Sequence, residues 1–383
     1  MQENGVNIAA APGKRLYELD IMRAIAIGII IFHHLPDFTF NFFDLRNFGI
    51  NLDLSPLNRL NAYFGLGLFV YISGVLMRNS YSEMSRPGKV WEYLKKRFFR
   101  IFPLYWVALA LFAVLSDAGA RRIIIQALGF QLVFSTPGFQ PIFTIWYIGL
   151  ITVYYWQLIL IAKAKNNAAL RIVAILSLPS TLILLRAAFG MGDARLILYY
   201  FIFLSGLAGD HFYSVIISSY KKIAGLAVFF ILSVFAFTFI FLIPFLYRDF
   251  YQPYALMTNG DNFFISLPMT GCIAAIALIN CIAVSFAWLV RLAAYKAVRF
   301  AKYFTWLAYS SYCIYLFHRP VWLMLLNLHY PDGPKARLLY LGSLGIALTL
   351  ISAYAVQKGY DRLLLWAQPG RQGEPERVLN SGG

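Results

Sequence analysis

The chain has 383 residues, of which 60% are hydrophobic, 17% aromatic and only 13% charged. Soluble globular domains are nearer half apolar and a quarter charged, so this composition excludes an ordinary soluble enzyme and a disordered chain. The formal net charge is +16, but Lys and Arg lie in short clusters between apolar stretches rather than in one patch. We therefore expect no nucleic-acid partner. The mean hydropathy of +0.65 predicts a membrane protein.

Ten stretches are long and apolar enough to cross about 30 Å of hydrocarbon as helices. In chain order they cover about 19–36, 60–78, 98–116, 141–162, 169–189, 196–216, 223–246, 262–289, 303–327 and 338–359. The stretch 123–134 is shorter and contains two glutamines, which is typical of a re-entrant or interfacial helix. The predicted fold is therefore all-α, a polytopic membrane protein with about ten transmembrane helices.

The distribution of positive charge predicts the orientation of these helices. The segments between the spans lie alternately on the two sides of the membrane. The side that holds both termini has more than twice as many Lys and Arg as the other side. By the positive-inside rule both termini are cytoplasmic, and we expect a multi-pass protein of the cytoplasmic (inner) membrane. The predicted organisation is a cytoplasmic segment 1–18, a membrane domain 19–360 and a disordered tail 361–383.

Ionisable residues inside a span cost at least about 2.5–3.5 kcal/mol on insertion scales, so each one is a functional candidate. Arg23 and His34 share one face of the first span, about 16 Å apart along the helix axis. Asp20 lies one turn below Arg23 and could pair with it, whereas His33 points away. A simpler interpretation has Arg23 reaching the interface and His34 bonding a backbone carbonyl. The candidates chosen on this ground are Asp20, Arg23, His33, His34, His318 and Arg319.

Two further patterns combine polar groups at helical spacing. Ser311, Tyr315 and His318 form a stripe in the ninth span that suits either a wet cavity or a polar seam between helices. Arg97 and Arg100 stand one turn apart beside the third span, where their planar guanidinium groups suit phosphate binding.

Several known site patterns do not match. The spacing from His33 and His34 to Asp37 is too short for the His-x4-Asp and HHxxxDG motifs of soluble acyltransferases. Cys272, Cys281 and Cys313 lie in apolar stretches without CxxC spacing, so we expect packing thiols, with neither disulfides nor a metal site.

Four segments together resemble the acyltransferase 3 family of multi-span membrane acyltransferases. Leu19–Arg23, with ten residues between Arg23 and His34, resembles its LDxxR opening and Arg-x10-His spacing. Phe64–Leu76 is similar to its GxxxFFxxSGF segment. The other two segments are Arg97–Tyr105, which resembles RxxRIxPxY, and Ser311–His318, which resembles SYxxYLxH. One departure is Ile151, where many members have a glutamate after the tryptophan of the fourth span.

The resemblance implies an O-acyltransferase that uses cytoplasmic acyl-CoA, most simply acetyl-CoA, as co-substrate without a metal. The implied partners are acyl-CoA, a glycan or lipid-linked saccharide acceptor, and membrane lipids. His34 is the expected base, and Arg23, on the same face about 16 Å nearer the cytoplasm, is the second expected catalytic residue. The expected acyl-CoA contacts are Arg97, Arg100, Tyr105 and Ser73. Expected cavity or acceptor-side residues are Asp20, His33, Trp146, Ser311, Tyr312 and His318. The alternatives are a transporter or flippase for a lipid-linked or anionic solute with a histidine proton relay, and a non-catalytic scaffold.

Overall fold

A computed structural model of the chain describes residues 16–51, 55–84, 86, 88–116, 120–136, 139–142, 144–217, 220–237 and 269–366. All named elements in these residues are helical, as the sequence predicts. The α-helices are α1 Tyr17–His34, α2 Ser55–Glu83, α3 Lys89–Ser116, α4 Ala120–Ala127, α5 Trp146–Lys163, α6 Ala168–Phe189, α7 Arg195–Leu198, α8 Tyr200–Ile217, α9 Tyr220–Phe237, α10 Met269–Lys296, α11 Ala301–Leu328, α12 Pro334–Tyr340 and α13 Ile346–Trp366. Short 3-10 helices cover Leu35–Asp37, Leu45–Phe48 and Val298–Phe300, and a π-helical turn, Leu341–Gly345, joins α12 to α13.

Each of the ten predicted apolar stretches overlaps one of these helices. Five segments of the described residues are long and apolar enough to cross a membrane, namely Tyr17–Asp37, Lys89–Leu115, Ala168–Phe189, Ala277–Lys296 and Pro334–Trp366. The ten-span count and the cytoplasmic termini remain predictions. Parts of the seventh and eighth stretches, 238–246 and 262–268, lie outside the described residues.

Some boundaries differ from the predicted ones because helices continue past their apolar cores. The short helix α4 begins and ends before the predicted stretch 123–134 does. The last helix continues to Trp366, so the first residues of the predicted tail are helical. The rest of that tail, 367–383, and residues 1–15 of the N-terminal segment lie outside the described residues.

The chain forms two compact units. The first comprises Met1–Ile72, Ala208–Ala227 and Phe286–Gly383; the second comprises Ser73–Leu207 and Val228–Ser285. In the first unit α1 packs against α11, and α11 packs against α13. Gly65 of α2 permits a close approach to α1, because a Cβ there would lie 2.8 Å from Cγ1 of Ile30.

The second unit places α5 against α3 and α6. Tyr154 of α5 is fully buried, and its hydroxyl donates to the carbonyl of Leu196, 2.9 Å away. Gly74 lies against α8, where an added Cβ would be 2.9 Å from the backbone nitrogen of Leu207. By contrast, α6 exposes large apolar side chains such as Leu184 and Phe189, each 68% exposed. Such an apolar surface suits contact with lipid.

Candidate functional site

His34 and Asp37 are placed side by side by one turn of backbone in the first unit. His34 is the last residue of α1, and the 3-10 helix Leu35–Asp37 follows it directly. Pro36 favours that turn because its ring fixes φ near the helical value. The turn brings Oδ2 of Asp37 to 3.4 Å from Nδ1 of His34. The imidazole of His34 therefore faces a carboxylate that lies only three residues later in the sequence.

Arg319 of α11 joins this pair through the packing of α1 on α11. Its Nη2 lies 3.1 Å from Nδ1 of His34, and its guanidinium also forms an ion pair with Asp37. The guanidinium carbon lies 5.2 Å from the ring centroid of Phe38. The side chain of Arg319 is only 12% exposed, whereas that of Asp37 is 48% exposed. The imidazole of His34 at the end of α1, the carboxylate of Asp37 in the 3-10 helix and the guanidinium of Arg319 on α11 are thus in mutual contact.

The ring of His318 lies next to that of His34, and its two nitrogens have different surroundings. Its ring stacks on that of His34, with centroids 5.3 Å apart and planes 25° apart, and is fully buried. Nδ1 lies 3.0 Å from the carbonyl oxygen of Ile314. Because a carbonyl only accepts, Nδ1 carries the proton of the neutral ring and Nε2 carries the lone pair. Among the described residues, Nε2 has no hydrogen-bond partner.

His33 has different neighbours, as its angle on the helix predicts. Its Nδ1 lies 2.8 Å from the backbone oxygen of Asn58, and Nδ2 of Asn58 donates to the carbonyl of His33 at 3.1 Å. These contacts link α1 to α2. Its ring centroid is nevertheless 4.7 Å from that of His34, so the role of His33 on the acceptor side stays a prediction.

The predicted pairing of Asp20 with Arg23 is present. Nη1 of Arg23 donates to Oδ1 of Asp20 at 3.2 Å, and the two side chains are 12% and 3% exposed. An ion pair one helical turn apart reduces the cost of placing either charge within a span.

Arg291 is the unexpected buried cation of the first unit. The sequence placed it in a loop after a span ending near 289, but no Gly or Pro interrupts the helix, and α10 continues to Lys296. Arg291 is 2% exposed; its Nη1 donates to the hydroxyl of Tyr71 at 3.2 Å, and its Nη2 lies 3.9 Å from Oε1 of Glu18. The predicted loop position was wrong because the apolar pattern ends before the helix does.

The polar stripe of α11 is buried. Ser311 and Tyr315 are 5% and 4% exposed, and Oγ of Ser311 donates to the carbonyl of Ala308 at 2.7 Å. Tyr312 is half-buried. His318, at one end of this stripe, contacts His34, whereas Ser311 forms its hydrogen bond within α11.

Arg97 and Arg100, in the second unit, lie one turn apart on α3. The guanidinium carbon of Arg97 lies 5.5 Å from the ring centroid of Tyr93 and 5.7 Å from that of Tyr155, and these two rings contact each other edge to face with centroids 6.1 Å apart. Arg97 is half-buried and Arg100 is exposed. Cation–π contacts with both rings help to hold the guanidinium, whose N–H donors lie in its plane and suit phosphate oxygens.

Tyr105 is fully buried in the second unit. Its hydroxyl donates to the backbone oxygen of Gln126 at 2.6 Å and accepts from Nε2 of Gln131 at 3.4 Å. This geometry ties α3 to α4 and the loop after it. A contact of Tyr105 with acyl-CoA stays a prediction. Ser73, also predicted to contact acyl-CoA, is half-buried on α2.

Trp146 is the first residue of α5, and its ring makes a cation–π contact with Arg195. The guanidinium carbon of Arg195 lies 4.2 Å from the ring centroid, and Arg195 also pairs with the buried carboxylate of Asp193 at 2.5 Å. Ile151, at the position of the glutamate in many relatives, is 2% exposed. A role assigned to that glutamate therefore cannot be transferred to this position.

Two residues of the site were not predicted as such. Arg319 was recognised as an ionisable residue in a span, and Asp37 only as part of a motif with unsuitable spacing. The available signal was the three-residue separation of His34 and Asp37, which places their side chains together in a helical turn. Their convergence with Arg319, 282 positions later, depends on tertiary packing that a single sequence does not display.

The comparisons with known proteins give one match. No curated protein and no solved structure matches the chain. A family model described as an acyltransferase domain matches residues 16–356, which includes every helix that carries the groups above. With an all-helical fold and several helices able to cross a membrane, the chain is a multi-pass membrane protein that belongs to the acyltransferase 3 family.

Proposed function

We propose that the protein transfers an acyl group, with acetyl as the first candidate, from cytoplasmic acyl-CoA to a hydroxyl of a glycan or lipid-linked saccharide. Transfer would take place at or beyond the cytoplasmic membrane. The observation that carries this proposal is the group of His34, Asp37 and His318 in a chain of an acyltransferase family. An alcohol is a poor nucleophile at neutral pH, and an imidazole is the side chain best suited to remove its proton.

The proposed reaction begins with His34 as general base. With Nδ1 protonated, Nε2 of His34 takes the proton of the acceptor hydroxyl while the oxygen attacks the thioester carbon. The C–S bond then breaks, the ester forms, and the thiolate of CoA leaves and takes up the proton from His34. No oxidant, reductant or metal is required for this balance.

His318 supports binding of the acceptor in this proposal. Its Nδ1 donates to Ile314, so the Nε2 lone pair can accept a hydrogen bond from a hydroxyl. It suits that task better than polarising a thioester carbonyl, which requires a donor. Arg23, whose charge is offset by Asp20, is proposed to lie along the same path from the donor.

Arg97 and Arg100 are proposed to hold the phosphates of the donor. We expect Arg97→Ala to weaken acetyl-CoA binding by about 10- to 100-fold, since a charge-assisted hydrogen bond contributes about 1.5–3 kcal/mol. Arg97→Lys should retain only part of the affinity, because an ammonium cannot reproduce the planar, bidentate fork of a guanidinium. The measurement is calorimetric titration of detergent-purified protein with acetyl-CoA.

Two comparisons make this experiment decisive. Arg171→Ala, a change at an exposed residue of α6, should bind like wild type, and His34→Ala should bind acetyl-CoA while losing turnover. Absence of binding to folded wild-type protein would contradict acetyl-CoA as the donor. Release of CoA from acetyl-CoA without any ion gradient would count against the transporter alternative.

A further inference from the structure

We propose that Asp37 and Arg319 are positioning residues that fix the tautomer of His34. Asp37 holds the proton on Nδ1 and leaves Nε2 as the base, and Arg319 holds Asp37 in place. This inference rests on the proposed function, in which His34 is the base, but its tautomer can be measured without any turnover.

The argument begins with the two neighbours of Nδ1. The carboxylate oxygen of Asp37 at 3.4 Å can only accept, and Nη2 of Arg319 at 3.1 Å can only donate. A neutral imidazole satisfies one of them at a time. If Nδ1 donates to Asp37, the lone pair is on Nε2; if Nδ1 accepts from Arg319, Nε2 carries the proton and cannot act as a base.

The ion pair between Arg319 and Asp37 decides between these states. The guanidinium already donates to the same Oδ2 that faces Nδ1, so the carboxylate is fixed beside the ring while the guanidinium has its own acceptor. Without Asp37, Nη2 of Arg319 would still face Nδ1 of His34 at 3.1 Å and, as a donor, would favour the inactive tautomer. The other ionisable groups facing His34 are His33 and His318, with ring centroids at 4.7 and 5.3 Å.

The burial of Arg319 distinguishes this pair from an ordinary surface ion pair, although Asp37 itself is 48% exposed. Asp44 and Arg46 form such a pair in the next loop, with Nε of Arg46 2.6 Å from Oδ1 of Asp44 and Arg46 57% exposed. Their hydrogen bonds hold the pKa of Asp44 below its usual value. Arg319, by contrast, is nearly buried within α11, and both members of its pair contact the imidazole of His34.

The direct test is nitrogen NMR of the purified full chain labelled with ¹⁵N-histidine. The chain has only 5 histidines, so His34→Ala identifies the His34 signals. We expect wild type to show Nδ1–H with an unprotonated Nε2, and Asp37→Ala to move His34 toward Nε2–H. Asp44→Ala is the matched control and should leave these signals unchanged. A wild-type His34 in the Nε2–H form would overturn the proposal.

Kinetics supply a second test. The rate of CoA release from acetyl-CoA is measured with an acyl acceptor present, which is either the methyl glycoside that gives the highest rate or water. Asp37→Ala should lower kcat by about 10- to 100-fold, the range found when a partner that orients a metal-bound histidine is removed. In the His34→Ala background the same change should have less than about a 2-fold effect, since its role passes through His34. An equal loss in both backgrounds would show a merely structural role and overturn the proposal.

Two more variants separate the possible failures. Asp37→Ala combined with Arg319→Met should be at least as active as Asp37→Ala alone, because methionine has no N–H to compete for Nδ1 of His34; a further loss would contradict the assigned role of Arg319. If Asp37→Ala does not fold, Asp37→Glu keeps the charge and must retain the Nδ1–H tautomer. Full activity of His34→Ala would instead refute the proposed function. If His34→Ala loses activity while Asp37→Ala stays fully active, only the positioning role of Asp37 and Arg319 is refuted.

Discussion

Replacing His34 by alanine is expected to lower kcat for acyl transfer by about 100- to 10,000-fold, the range that a general base typically contributes. The reason is that this position combines an imidazole with an adjacent carboxylate, 3.4 Å away, at the end of a membrane-spanning segment. The measurement is the rate of CoA release from acetyl-CoA by detergent-purified protein. The affinity for acetyl-CoA should change little, because binding is assigned to Arg97 and Arg100.

A matched control exists directly after α11. His329 caps that helix, is exposed, and meets the ring of Tyr340 edge-on with centroids 5.6 Å apart. His329→Ala should retain the wild-type rate. A folded His34→Ala protein with near-normal turnover would remove His34 from the reaction and leave His318, with its lone pair on Nε2, as the base to test next.

Replacing Gly74 by alanine is expected to destabilise the protein, with a loss of about 1–3 kcal/mol, the usual cost of overpacking. An added Cβ would lie 2.9 Å from the backbone nitrogen of Leu207 and 3.0 Å from Cα of Gly206. These are backbone atoms of α8, so no side chain can rotate to relieve the contact. The measurement is the thermal unfolding midpoint in detergent.

Gly28→Ala is the control for this prediction. Gly28 also lies within a helix, but a Cβ there would meet nothing within 4 Å. Alanine is the better helix former, by about 0.8–1.0 kcal/mol, so this variant should be as stable as wild type or slightly more so. Equal midpoints for the two variants would show that α2 and α8 are not in close contact at Gly74.

The sequence predicted those features that depend on local spacing. Composition and the length of the apolar stretches gave the all-helical fold, and the three-residue spacing predicted the Asp20–Arg23 pair that the structure contains. It also predicted that Ser311 and His318 share one helix. These relations hold within single helices, where 3.6 residues per turn determine which side chains are neighbours.

Relations between helices were not predictable in the same way. The contact of Arg319 with His34 joins positions 285 residues apart, and no periodicity within either helix encodes it. The burial of Arg291 was missed because hydropathy locates the apolar part of a helix rather than its end. The contact of Arg97 with Tyr155 likewise requires the packing of α3 against α5.

The buried position of Arg291 has a consequence for biosynthesis. A cation in α10 enters the membrane at a substantial cost unless a partner is already there. Its hydrogen-bond partner Tyr71 lies 220 residues earlier, and Glu18 is earlier still, so both are synthesised and available before α10 emerges from the ribosome. Stable insertion of α10 therefore depends on the helices made first, and a chain that starts after α2 would have to insert this arginine without either of these two partners.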